Sequence, residues 1–188
     1  IGPRFFAEED LDLGPGAADV EVRTGDAPAG SMLLDDVVLP MAAPALLARL
    51  PALRTPADLA AAPLLRTPIE PWTPWFRAAG LDWPEPDRGP KLVDLGLTLE
   101  AAMGGQGVVL GRPSLARHAL AEGRLLPLFG PFVRPLQRYF LDPRSTDSAA
   151  RQFSDWLRGC CSTIGTESLR QVHAQLQARQ PAGRSATG

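Results

Sequence analysis

The sequence predicts an α/β fold with mostly parallel sheets. Three observations carry this. Short apolar, β-branched runs alternate with helical segments of about ten residues, the pattern of strands joined through crossover helices. The 20 prolines and 18 glycines fall between those runs as punctuation and are not gathered in one linker. With 188 residues, 45% hydrophobic and 21% charged, the chain is long and apolar enough to bury a sizeable core.

The elements follow in order. Residues 1–18 combine Phe5 and Phe6 with an acidic run (Glu8, Glu9, Asp10) and a Gly-Pro-Gly turn, a solvated loop. Residues 18–24 form a short strand, Val20 and Val22 alternating with Glu21 and Arg23, and 25–31 a loop. Residues 37–42 are apolar, but Pro40 has no N–H to give a ladder, so this is an edge or crossing strand. Pro44 opens a helix over 45–50. Thr55-Pro56 opens another over 57–61, with Thr as N-cap and Pro at the first helical position. A buried strand at 64–67 leads through a proline-broken loop to a helix over 75–80, where Gly80 suits a left-handed end. After a strand at 91–93, Asp94 caps a helix over 95–103 that Gly104 and Gly105 end. A strand at 107–110 is apolar on both faces, and a helix over 113–122 closes at Gly123. Strands follow at 125–128 and 137–141. Thr146 or Asp147 then starts a helix whose Ala149, Ala150, Phe153, Trp156 and Leu157 form a core-facing stripe. Beyond Gly159 the chain turns polar. A further helix covers 167–179 on Leu169, Val172 and Leu176, and the tail 181–188 is expected to be disordered.

Several function classes fall away. The 19 basic and 21 acidic residues give a net charge of -2, whereas nucleic-acid binding needs a concentrated basic face. No run approaches the roughly 18 to 20 apolar residues that span a bilayer, and no secretory signal is visible at the start. Cys160 and Cys161 are adjacent, a spacing unsuited to a structural disulfide, so a reducing, cytoplasmic setting is expected. His118 and His173 are isolated surface or packing residues, without metal-ligand spacing. Gly104, Gly105, Gly107 and Gly111 follow a helix instead of opening one, and they lack phosphate-loop spacing, so they make a tight helix-to-strand turn. The pairs Asp35-Asp36 and Glu8-Glu9 point to opposite faces on a strand and make no acid/base dyad. No catalytic set and no cofactor are expected. Trp72, beside Glu70 in the proline-rich loop, either lines a small-molecule cleft or anchors that loop to the helix behind it.

Seven stretches, in order, carry a resemblance: residues 18–25, 38–47, 53–59, 72–80, 97–111, 120–129 and 153–157. They resemble the effector-binding domain of LysR-type transcriptional regulators, nearest the branch that includes the glycine-cleavage-system activator. The resemblance covers about 18–158. It implies a type 2 periplasmic-binding-protein-like fold with two lobes and mostly parallel sheets, the first lobe truncated. The division it implies is 1–36 as a remnant of lobe I, 37–136 as lobe II, 137–160 returning to lobe I, and 161–188 as an extra helix and tail. The usual N-terminal helix-turn-helix has no counterpart, so promoter DNA would be reached only through a domain this chain lacks. Homo-oligomers are implied, as is a small-molecule effector, a carboxylate or amino acid, held between the lobes. By position, Thr67, Glu70 and Trp72 from one loop, Asp94, Gly96 and Thr98 from a helix start, and Thr24 at the end of the first strand would face it. The free N–H groups of the helix start suit an anion, while the Asp94 carboxylate opposes one. Thr98 either adds a hydroxyl contact or faces solvent. A stand-alone solute-binding protein of the same fold, or an inactive fragment, is the alternative reading.

Overall fold

The computed structural model describes residues 18–25 and 32–179. The loops expected at 1–17 and 26–31 and the tail at 181–188 lie outside the described residues. The elements are β1 (Val20–Gly25), β2 (Leu39–Ala42), α1 (Pro44–Leu47), a 3-10 helix (Pro56–Ala61), α2 (Trp72–Ala78), α3 (Leu95–Met103), β3 (Val109–Gly111), α4 (Pro113–Ala121), β4 (Leu126–Pro127), β5 (Arg138–Pro143) and α5 (Ser148–Arg179). Two compact units result. The smaller holds the described residues up to 34 together with 138–161, and the larger holds 35–137 with 162–179.

In the smaller unit β1 and β5 pair antiparallel, from Val20 opposite Pro143 to Gly25 opposite Arg138. Strand β1 is solvated along much of its length, and Val22 is exposed against expectation.

The larger unit is built on a sheet whose sequence alternation can be followed residue by residue. Leu39 and Met41 of β2 and Val109 of β3 enter one core cluster, with Leu99, Ala102, Ala116, Leu120 and Val172 from α3, α4 and α5. Val38, Ala42, Val108 and Leu110 enter the other, with Leu46, Leu59, Trp72, Trp75 and Phe76. Neighbouring residues on a strand point to opposite faces, so the sheet is covered on both sides and reads apolar throughout. Strand β2 pairs antiparallel with both β3 and β4. Among the described residues, parallel pairing is confined to the bridges Leu64–Val108 and Arg66–Lys91. The α/β class therefore holds, but the named strands do not form the mostly parallel sheets expected. The segment expected as an edge or crossing strand is instead the central one of the order β3-β2-β4, with Pro40 opposite Leu110.

Helix ends follow local chemistry where a cap lies in sequence. The Asp94 carboxylate accepts from the Leu97 N–H at 2.8 Å, opening α3 at Leu95 as expected. The turn after α3 places Gly105 at φ +71, and a Cβ at Gly107 would lie 2.9 Å from the Pro63 carbonyl oxygen, so both positions require glycine. Helix α2 begins at Trp72, earlier than the expected 75–80. The largest departure is α5, which runs unbroken through Gly159 where two helices were expected. Phe153 and Trp156 are 48% and 61% exposed, so the expected burial of Trp156 is wrong. The buried positions of the helix are instead Ala150, Ser154, Gly165, Ser168 and Val172.

Candidate functional site

The bridges Leu64–Val108 and Arg66–Lys91 orient three chain segments, 64–67, 90–93 and 107–111, in the same direction. All three end at one edge of the sheet. There the chain continues into Thr67 and its loop, into Asp94 and α3, and into Arg112 and α4. In open α/β sheets this carboxyl edge is where ligands bind, because helix starts and loop ends converge on it.

The structure places the expected site residues unevenly along this edge. Thr67 is buried, and its hydroxyl accepts from the Ile69 N–H at 3.2 Å, fixing the start of the loop. Asp94 and Gly96 are exposed at the start of α3. The Asp94 carboxylate occupies the Leu97 N–H, which leaves the N–H groups of Leu95 and Gly96 ahead of it. Thr98 is fully buried, and its hydroxyl donates to the Asp94 carbonyl at 2.6 Å, so it faces neither ligand nor solvent. Trp72 is likewise fully buried. Its indole N–H donates to the Leu65 carbonyl at 2.8 Å, and its ring stacks on Phe76 with centroids 5.4 Å apart. Of the two readings for Trp72, the anchor is the one the geometry supports. Thr24 is exposed on β1 of the smaller unit, opposite Tyr139.

Glu70 turns out to belong to a buried polar cluster. The Arg112 guanidinium donates to Glu70 Oε1 through Nε at 2.7 Å and also through Nη2, and both residues are buried. Beside them the Ser114 hydroxyl donates to Asp36 Oδ2, and the Val37 N–H donates to Asp36 Oδ1 at 3.0 Å. The antiparallel register sets Leu39 opposite Gly111, which brings the residues before β2 to those after β3. Burial pushes the Asp36 carboxyl up, against the pull of Ser114, Val37 and Arg112. Burial pushes Glu70 up as well, against Arg112, and Asp36 adds to the rise. Sequence pattern alone pairs Asp36 with Asp35 and gives no reason to single out Arg112 or Ser114. The available signal was Arg112-Pro113, a charged residue between an apolar strand and a proline that opens a helix. Among the described residues no group of three or more His, Cys, Asp and Glu is placed to hold a metal ion. No helix among them is long and apolar enough to cross a membrane.

A covered α/β sheet with polar loops and helix starts along its carboxyl edge is the architecture on which many ligand-binding domains are built. A family model for the LysR substrate binding domain matches residues 7–181, and the chain belongs to that family. Among similar proteins, the HTH-type transcriptional regulator y4mQ of Sinorhizobium fredii is 33% identical over 148 residues, covering 72% of this chain and 47% of the relative. The HTH-type transcriptional activator AmpR of Rhodobacter capsulatus is 37% identical over 130 residues, covering 68% of this chain and 44% of the relative. The chain thus spans about half the length of the curated relatives it matches. Of solved structures, the effector domain of AmpR from Pseudomonas aeruginosa matches with TM-score 0.66 and 27% identity, over 85% of this chain and 80% of that one. The AmpR effector binding domain from Citrobacter freundii matches with TM-score 0.64 and 26% identity, over 81% and 79%.

Proposed function

We propose that the chain is the effector-sensing part of a cytoplasmic, homo-oligomeric LysR-family transcriptional regulator. A small carboxylate or amino acid would bind at the carboxyl edge, and promoter DNA would be reached through a separate helix-turn-helix domain. The observation that carries this reading is the convergence of Thr67, the α3 start and the Glu70–Arg112 pair on one sheet edge of a LysR substrate-binding domain. The N–H groups of Leu95 and Gly96 suit a carboxylate head group. Trp72 holds the loop in place from the core. Ligand binding would then shift the population of conformations that the full regulator adopts.

The test is a thermal-shift screen of the chain against amino acids and small carboxylates. At a hundredfold excess over its Kd, a true effector raises the melting temperature by about 5–10 °C. Thr67→Val and Gly96→Ala should each reduce that rise. An effector that stabilises the parent and both variants equally would remove this edge from the site.

A further inference from the structure

The opposite, amino edge of the same sheet carries a concavity of about 450 Å³. Leu59, Leu64 and Phe76 line its interior, and the Trp83 indole walls it, edge-on to Phe76 at 5.2 Å. The outer wall is the loop 84–89, and it is held from two sides. The Glu85 carboxylate accepts from the N–H groups of Trp72 and Thr73 at 3.1 and 2.8 Å. The Arg66 guanidinium donates to the carbonyls of Pro86 and Gly89 at 3.0 and 2.9 Å. Gly89 sits at φ +92, and a Cβ there would lie 2.6 Å from the Leu64 carbonyl oxygen, so the loop is seated directly against the strand. The cavity is thus preformed, and its size is that of a small-molecule site. At its mouth stand Asp87 and Arg88, and Arg88 makes no hydrogen bond or ion pair among the described residues.

We propose that this cavity is a separate small-molecule site, taking a compact aromatic carboxylate. The ring would pack against the half-buried Trp83 indole, which Phe76 backs from the core. The carboxylate would remain at the mouth on Arg88, whose side chain is the longer of the two charged ones there. Its planar guanidinium fork matches a carboxylate through two bonds.

The experiment is a proton–nitrogen NMR titration of the 188-residue chain with indole-3-acetate, and with tryptamine as the cation bearing the same ring. Indole-3-acetate should shift the Trp83 indole N–H and the Gly89 amide along one saturable curve. Arg88→Ala should weaken it about five- to tenfold, and tryptamine should bind at least about tenfold more weakly than indole-3-acetate. Ala62→Trp, which fills the cavity, should abolish the shifts, while Arg88→Ala removes the guanidinium and leaves the apolar lining of Leu59, Leu64 and Trp83 in place. Absence of shifts at Trp83 and Gly89 up to millimolar probe would overturn the site. Unchanged affinity in Arg88→Ala, or equal binding of tryptamine, would overturn the carboxylate class.

Discussion

Glu70 and Arg112 show how one residue pair can hold a sheet edge together. Both are buried, so neither charge has water to fall back on. Removing Arg112 strips the buried Glu70 carboxylate of its guanidinium partner, which costs about 3–5 kcal/mol. Arg112→Leu should lose that amount in a urea melt, whereas Glu70→Leu with Arg112→Leu should recover much of it. A single variant within about 0.5 kcal/mol of the parent would contradict the pairing. Asp36 adds a pH dependence. Its carboxyl is raised from an ordinary 3.8 by burial, so the folded chain keeps a proton that the unfolded chain gives up. Stability therefore falls as pH rises between those two values. The loss is complete above the raised value and fully relieved below the ordinary one. Asp36→Asn carries no charge and lacks this slope. Thermal melts between about pH 4 and about pH 8 should show the parent gaining on Asp36→Asn as pH falls, and parallel curves would exclude the effect.

Among elements, α3 was legible because both its signals are local: Asp94 caps one end and Gly104-Gly105 ends the other. The start of α2 is not legible in sequence because its cap comes from Glu85, a loop residue whose arrival depends on the fold. The same long-range fact explains Trp72, which looked like a cleft residue in a loop and is instead helical and buried. Helix α5 defeated the pattern in another way. Two of its buried positions are serines, which periodicity does not count as core. Their hydroxyls donate to the carbonyls of Ala150 and Ile164 at 2.7 and 2.6 Å, so burial leaves them satisfied. Three outcomes follow for denaturant melts. Trp156→Ala should change stability by less than about 0.5 kcal/mol, and Val172→Ala should cost about 2 kcal/mol. Gly159→Ala should add about 0.5–1 kcal/mol, since a Cβ there meets nothing within 4 Å and glycine weakens a helix interior. A loss in Gly159→Ala would mean that the helix is broken at that point.

For the whole molecule, element order and fold class were legible, since alternation and punctuation are written along the chain. Strand pairing was not, because which strand meets which is decided by packing between segments far apart in sequence. Parallel bridges and an antiparallel central strand lie side by side in the larger unit, and no local signal separates them. The candidate site was half legible for the same reason. The α3 start is local, whereas the meeting of Asp36 with Ser114 spans 78 positions. At this scale the net charge of -2 also matters. The 188-residue chain alone should give no sequence-selective, salt-resistant band in a gel shift with duplex DNA. Such a band would place a DNA-reading surface within these residues.

The unbroken course of α5 also governs the sulfur chemistry of the chain. Cys160 and Cys161 lie in the middle of this helix, where consecutive side chains diverge by about 100° around the axis. Closing a ring between their sulfurs would require the helix to unwind locally. Burial, with Cys160 beside it, also pushes the Cys161 thiol up and thins the thiolate that an oxidant would attack. The unbroken helix thereby holds the two neighbouring sulfurs apart and keeps the Cys161 thiol protonated. Purification in air without added reductant should leave both titratable by a thiol reagent once the chain is unfolded.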